Sequence, residues 1–178
     1  DFSLIRPKGA PLRKSGGKAP GPEPLRLVLI AIDEMLSVKE NGDRLRPYEV
    51  HVINCKVADC VLSGGIRRSA MLCLFDFDDE ELLFCKTAEK RSFGENTFLD
   101  NANNSVAINP KDPLAGEKLD RLWAIVEANK SGDPAVYFVD DDHGTNPCGE
   151  IYLEDMQFCN LTEINASDIS TQEQLNER

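Results

Sequence analysis

Apolar positions along the chain recur at helical spacing in some stretches and run together in others. Leu25–Val38 has the helical period, and Asn41-Gly42-Asp43 breaks it. Pro47 is placed to open the next helix, in the first turn where a missing N–H costs nothing. Val50, Ile53, Val57 and Val61 form one apolar stripe on it, and Ser63-Gly64-Gly65 ends it. Ser69–Phe75 is a nearly continuous apolar run and predicts a buried strand. Asp78–Lys86 predicts a short helix with an acidic start, and Ser105–Ile108 a second strand. Pro113–Lys130 predicts a long amphipathic helix with Leu119, Leu122, Trp123, Ile125 and Val126 inward and Gly132 in its left-handed cap. Ala135–Val139 is a third strand, and strand-like residues return at Ile151–Leu153 and Leu161–Ile164. The first twenty-four residues read as an irregular loop and the last dozen as a ragged polar end. Short buried strands alternating with helices predict a parallel α/β architecture. No G-x-G-x-x-G or P-loop motif is present.

Composition narrows the function. The 178 residues carry a formal net charge of -11 and are 41% hydrophobic, enough for a core. The acidic balance argues against direct nucleic-acid binding or membrane-surface binding, and no apolar run is long enough to span a bilayer. Basic residues are nonetheless concentrated in places. Arg6, Lys8, Arg13, Lys14 and Lys18 lie near the start, and Arg67 and Arg68 lie together. Such a strip suits a small anionic ligand such as a nucleotide, although charge alone fits a solvated loop better. The six cysteines show no disulfide-framework spacing and no C-x-x-C pair, and there are two histidines. A structural zinc site is therefore not expected, and the chain reads as cytoplasmic, with reduced thiols. Asp140-Asp141-Asp142 reads as a solvated turn rather than a metal site, and His143 as a solvated loop residue.

Asn146-Pro147-Cys148-Gly149-Glu150 carries the most chemistry. Asn-Pro favours an extended, turn-like backbone, which puts Cys148 on a loop. An amide, a thiol and a carboxylate at alternate positions can surround one small ligand. The amide can hold a hydroxyl, the carboxylate can take its proton, and the thiol can donate a hydrogen atom or attack as thiolate. As a bare pattern, N-x-C-x-E more often marks a structural cysteine on a turn.

The surrounding segments change that reading. Asn146 to Asn165, with Phe158-Cys159-Asn160-Leu161-Thr162 following the first motif, resembles the active-site finger loop of ribonucleotide reductases. Ser63-Gly64-Gly65-Ile66-Arg67-Arg68-Ser69-Ala70 resembles the family's substrate-specificity loop. The opening Asp1–Leu12 stretch resembles the loop that takes part in effector signalling, and Asn103-Asn104-Ser105-Val106-Ala107 also fits. The Arg-Arg-Ser-Ala form, with Ile-Arg-Pro-Lys-Gly before it, looks most like the adenosylcobalamin-dependent enzymes.

That resemblance implies a fold and a chemistry. Residues 1–178 would be a central segment of the catalytic domain, an incomplete part of a ten-stranded α/β barrel. The remaining barrel would come from the rest of the same enzyme or a complementary split subunit. Cleavage of the cobalt–carbon bond of adenosylcobalamin would let Cys148 become a thiyl radical and take the ribose 3′ hydrogen. Glu150 would accept the 3′-hydroxyl proton, and Asn146 would hold the ribose hydroxyls. Cys159 would be one of two redox cysteines that form a disulfide. Ser63, Gly64, Gly65, Ile66, Arg67, Arg68 and Ser69 would contact substrate, and Arg6, Lys8 and Arg13 a dNTP or ATP effector. The partners would be a ribonucleotide substrate and a thioredoxin-type reductant. Cys55, Cys60, Cys73 and Cys85 would be structural. The alternatives are a reductase of the iron or glycyl-radical class, or a non-catalytic nucleotide-binding or assembly fragment.

Overall fold

The computed structural model describes residues 1–13, 16–62, 70–87, 97–130, 132–140, 143–160 and 162–177. The opening loop folds back on itself. Pro11 bridges Lys18, Gly9 N–H donates to the Ala19 carbonyl at 2.8 Å, and Ala19 N–H donates to that of Ala10 at 2.7 Å.

Helix α1 spans Glu23–Ser37, entered through Pro22 and Pro24 as their fixed φ allows. It packs on α2, Pro47–Leu62, with Val28 buried. Glu49 anchors the start of α2: its carboxylate accepts the Arg46 N–H at 2.8 Å and pairs with Lys39 at 2.7 Å. Those bonds hold Glu49 well below the usual carboxylate range, at about 2, the Lys39 bond contributing most.

The inward face of α2 is not the valine stripe. His51, Val52, Cys55 and Ala58 are buried, whereas Val50, Val57 and Val61 are exposed. Both sets have helical spacing, and the larger aliphatic side chains are on the wrong one. On that face Val52 and Cys55 pack with Leu99 of the following 3-10 turn (Thr97–Asn101). Val50 instead borders a cavity of about 600 Å³ beside the first strand.

Three strands form the central sheet: β1 Met71–Asp76, β2 Ala102–Ile108 and β3 Ala135–Phe138. Their order is β1-β2-β3, and both pairings are parallel, with Phe75 opposite Val106 and Val106 opposite Val136. The parallel α/β expectation is therefore met in part, as a three-stranded sheet. The short helix α3 is confined to Glu80–Leu83, with Asp79 capping Leu82 N–H at 3.1 Å. Helix α4, Ala115–Asn129, connects β2 to β3 and drives Leu122 fully into the core. Trp123, expected inward, is half exposed. Lys130 adopts the left-handed cap (φ +48°) in place of Gly132.

Strand alternation divides the sheet. Phe75, Val106 and Ile108 face the helices and join Phe77, Leu82, Leu83 and Leu122 in one cluster. Val52, Cys55, Cys85, Leu99 and Ala102 form an adjoining one. A buried ion pair links the strand starts: Lys86 Nζ donates to Asp133 Oδ2 at 2.7 Å and to the Ala102 carbonyl. Leu72, Leu74, Ser105 and Tyr137 belong to the opposite face of the strands. A two-stranded antiparallel hairpin follows, β4 Gly144–Thr145 and β5 Tyr152–Leu153. Residues 162–164 form no strand, and the tail carries a short helix α5, Gln172–Asn176, closed by a Thr171–Gln174 capping box. That box corrects the expectation of a ragged end.

Candidate active site

The N-x-C-x-E motif is the turn of the β4–β5 hairpin. Asn146 N–H donates to the Ile151 carbonyl at 3.1 Å, and Gly149 N–H donates to the Asn146 carbonyl at 3.0 Å. The Thr145 hydroxyl donates to the same Ile151 carbonyl at 3.0 Å. Gly149 takes φ +84°, in the left-handed region that favours glycine. Its α-carbon lies over the sheet, so a methyl there would sit 3.7 Å from Tyr137 and 3.8 Å from Leu72. The loop is thus seated across β3 and β1, and a cleft of about 390 Å³ opens between Leu72, Leu74 and Pro147.

Asn146 is the centre of the loop and is 3% exposed. Its Oδ1 accepts the backbone N–H of Glu150 and of Ile151, each at 3.1 Å. Its Nδ2 donates to Glu150 Oε1 at 2.7 Å and lies 3.5 Å from Cys159 Sγ. One amide therefore joins the carboxylate to the second cysteine. Cys148, between Asn146 and Glu150 in sequence, is exposed at the turn, and Cys159 is half-buried.

The thiols fall into two groups. Burial pushes the Cys55 thiol up to about 12 and that of Cys73 up to about 11, so neither ionises readily. Cys85 is buried and accepts from Asn104 Nδ2 at 3.2 Å. His51 lies 3.7 Å from Cys55, and burial, aided by the Lys86 charge, lowers its pKa to about 4. These groups lie behind the sheet. Cys148 and Cys159 belong to the loop side, where a ligand can enter.

Arg6, Lys8 and Arg13 are exposed on the opening loop. Gly21 passes so close to Lys8 that a Cβ there would be 3.0 Å from its backbone nitrogen. Lys8 also lines a cavity of about 540 Å³ with Lys56, Asp59 and Phe98, and the Lys56 ammonium lies 4.1 Å from the Phe98 ring centre. Ser63, Gly64, Gly65, Ile66, Arg67, Arg68 and Ser69 lie outside the described residues. His143 is not simply solvated: it is half-buried, its ring centre 4.0 Å from that of Tyr152. Asp140 pairs with Lys111 at 2.9 Å in an exposed turn. Among the described residues, no group of three or more His, Cys, Asp or Glu is placed to hold a metal ion. Thr145, Leu72 and Tyr137 were not singled out from the sequence. Nothing in their spacing shows that a loop rests on them.

Comparison with known proteins supplies the context. An adenosylcobalamin-dependent ribonucleoside-triphosphate reductase of Lacticaseibacillus paracasei is 34% identical over 92% of this chain. Proteins of the same description from Lactobacillus delbrueckii subsp. bulgaricus and Lactobacillus leichmannii are 35% and 34% identical over the same share. The chain is homologous to part of the adenosylcobalamin-dependent ribonucleotide reductases. It spans 23% of the length of these curated relatives. No family model matches it, and no solved structure does. Among the described residues, no helix is long and apolar enough to cross a membrane.

Proposed function

We propose that this chain supplies the radical-bearing loop of a ribonucleotide reductase. The observation that carries the reading is the shared amide of Asn146, which draws Glu150 and Cys159 together beside an exposed Cys148. The relatives' names supply the reaction: reduction of a ribonucleoside triphosphate to its deoxy form, with adenosylcobalamin. The parallel sheet is then part of a ten-stranded barrel, and the loop rests on its inner face.

Each loop residue has a task in that reaction. Cys148, as a thiyl radical, takes the 3′ hydrogen atom of the ribose. Glu150 takes the 3′-hydroxyl proton as the 2′ C–O bond breaks. The 2′ oxygen leaves as water with a proton from a thiol. Cys159 and a second cysteine of the enzyme supply two electrons and one further proton and become a disulfide. Glu150 then returns the proton to the 3′ oxygen, and Cys148 returns the hydrogen atom to C3′. A thioredoxin-type reductant restores the dithiol. By their resemblance to the family's loops, Arg6, Lys8 and Arg13 are assigned to a dNTP or ATP effector and the segment Ser63–Ser69 to the substrate.

The cofactor fits at one point of the described residues. Cys148 is exposed at the turn while Asn146 is covered, so a bulky group can approach the thiol from outside the turn. Adenosylcobalamin, when bound, supplies the one-electron oxidation that takes a hydrogen atom from such a thiol. The chain's own part is to hold the thiol at the turn and keep the dithiol chemistry on the covered side.

The test uses the protein as its gene encodes it, with substrate tritiated at C3′. Cys148→Ser abolishes tritium release, since an O–H bond is far harder to break homolytically than S–H. Cys159→Ser still releases tritium for one event, because its electrons are needed only afterwards. Equal release from both variants would overturn the roles.

A further inference from the structure

The β4–β5 hairpin owes its shape to bonds within itself. Asn146 N–H reaches the Ile151 carbonyl, and Gly149 N–H reaches that of Asn146. Such bonds close the turn without fixing where it rests. Its ladder is short, Gly144 opposite Leu153 and Thr145 opposite Tyr152, and it is separate from the three-stranded sheet. The place of the turn is therefore set by the side chains beneath it.

The floor under the turn is uneven. On the loop-facing side the middle strand β2 presents Ser105 and Ala107, both short. The outer strands present longer side chains at two levels. Leu72 of β1 is opposite Asn103, and Tyr137 of β3 is opposite Ala107, so the position midway along β2 is Ser105. Gly149 sits in the gap between them. A methyl on it would have Tyr137 Cε2 at 3.7 Å and both Tyr137 Cδ2 and Leu72 Cδ2 at 3.8 Å as its nearest neighbours. Ser105 is covered, at 6% exposure. The two walls differ in stiffness. Leu72 borders the cleft of about 390 Å³ and has room to shift into it. Tyr137 is not among the residues lining that cleft, is half-buried, and presents the edge of a planar ring that turns about only two bonds.

We infer that Tyr137 is a positioning residue for the radical-bearing thiol: its ring is the stop that holds the turn at the level of Ser105 and so sets the place of Cys148, the residue before Gly149. The role of the thiol rests on the reductase reading, and the stop rests on packing. The ring acts through the loop, and the hydroxyl has no part in it. An error of about 1 Å in the place of a reacting group costs up to about 10²-fold in rate. Removing the ring leaves every bond of the turn in being and takes away what the turn leans on.

The protein as its gene encodes it is compared with Y137F, Y137L and Y137A. Crystal structures read the place of the turn, hydrogen exchange at the Asn146 and Gly149 amides reads its shape, and KM against kcat reads the consequence. Y137F keeps the ring, so the turn stays in place and kcat stays within about twofold. In Y137A the Gly149 Cα moves about 1 Å or more against Val106, while both amides keep their protection. KM stays within about threefold and kcat falls about tenfold or more. Y137L, which keeps apolar bulk for folding, shows the same pattern with a loss in kcat of about threefold or more.

A turn unmoved in both Y137A and Y137L would overturn the stop. Lost protection at Asn146 and Gly149 in Y137A would also overturn it, because the ring would then close the turn instead of placing it. Y137F falling as far as Y137A would assign the effect to the hydroxyl and overturn the proposal likewise. A raised KM with unchanged kcat would put the ring against the substrate. Should the unsubstituted protein show no turnover with adenosylcobalamin and a dithiol, the reductase reading fails, and the structures and the exchange still decide the stop.

Discussion

Replacing Gly149 with alanine isolates how much of the loop's shape depends on backbone freedom. Gly149 sits at φ +84°, and an L-residue in that region costs about 1–2 kcal/mol. Alanine also narrows the unfolded ensemble, which offsets about 0.4–1 kcal/mol. The net loss is about 1 kcal/mol, a factor of roughly five in the closed population. Steric conflict adds little, since the new methyl would lie 3.7 Å from Tyr137 Cε2 and 3.8 Å from Leu72 Cδ2, ordinary van der Waals contact. The assay is amide hydrogen exchange at Gly149 and Asn146, whose N–H groups close the turn at 3.0 Å and 3.1 Å. Both should exchange about fivefold faster in G149A, with Val106 in the sheet unchanged. Adding Leu72→Ala should restore nothing, because the loss is conformational. Protection recovered by that second substitution, or no loss in G149A, would refute the reasoning.

Other expectations follow from the same geometry. Glu150→Gln should bind substrate nearly normally and lose about 10²–10⁴-fold in single-turnover rate, and a rate within a few-fold of the parent would remove Glu150 from the proton-transfer role. Lys86→Met breaks the buried pair with Asp133 and should cost about 3 kcal/mol in urea unfolding, at the low end for buried pairs because Asp133 is 23% exposed. A loss below about 1 kcal/mol, the worth of a surface pair, would contradict that placement. His51 has its pKa lowered to about 4 in the fold against 6.5 ordinarily, so the unfolded chain takes its proton first as pH falls. Stability should be intact above 6.5 and decline from there toward 4, and His51→Gln should flatten that part of the Tm–pH curve.

Much of this was legible in the residues. Helices α1, α2 and α4 begin and end within a few positions of their expected bounds, because Pro22, Pro24, Pro47 and the break at Asn41–Asp43 act locally. The parallel sheet followed from apolar runs too short for helices. The buried face of α2 did not follow. The exposed Val50, Val57 and Val61 and the buried Val52, Cys55 and Ala58 both have helical spacing, and only the fold shows that the side of Val52 and Cys55 meets Leu99. The motif from Asn146 to Glu150 was visible as spacing. That Asn146 turns its amide inward was not, since that depends on the path of the turn and on Cys159, thirteen residues away.

The hairpin also has a consequence for how the site withstands change. Apart from the contact with Cys159, every bond that fixes Asn146 is made to a residue within five positions of it. Closing so short a loop costs little entropy, and no distant strand has to be in place first. The carboxylate and the amide therefore travel as one rigid piece. A substitution in β1 or β3 tilts or lifts that piece without pulling its two members apart. Only Cys159, which approaches from outside the turn, can lose its alignment by such a shift. Sequence drift in the strands beneath the loop should accordingly disturb electron delivery before it disturbs proton transfer.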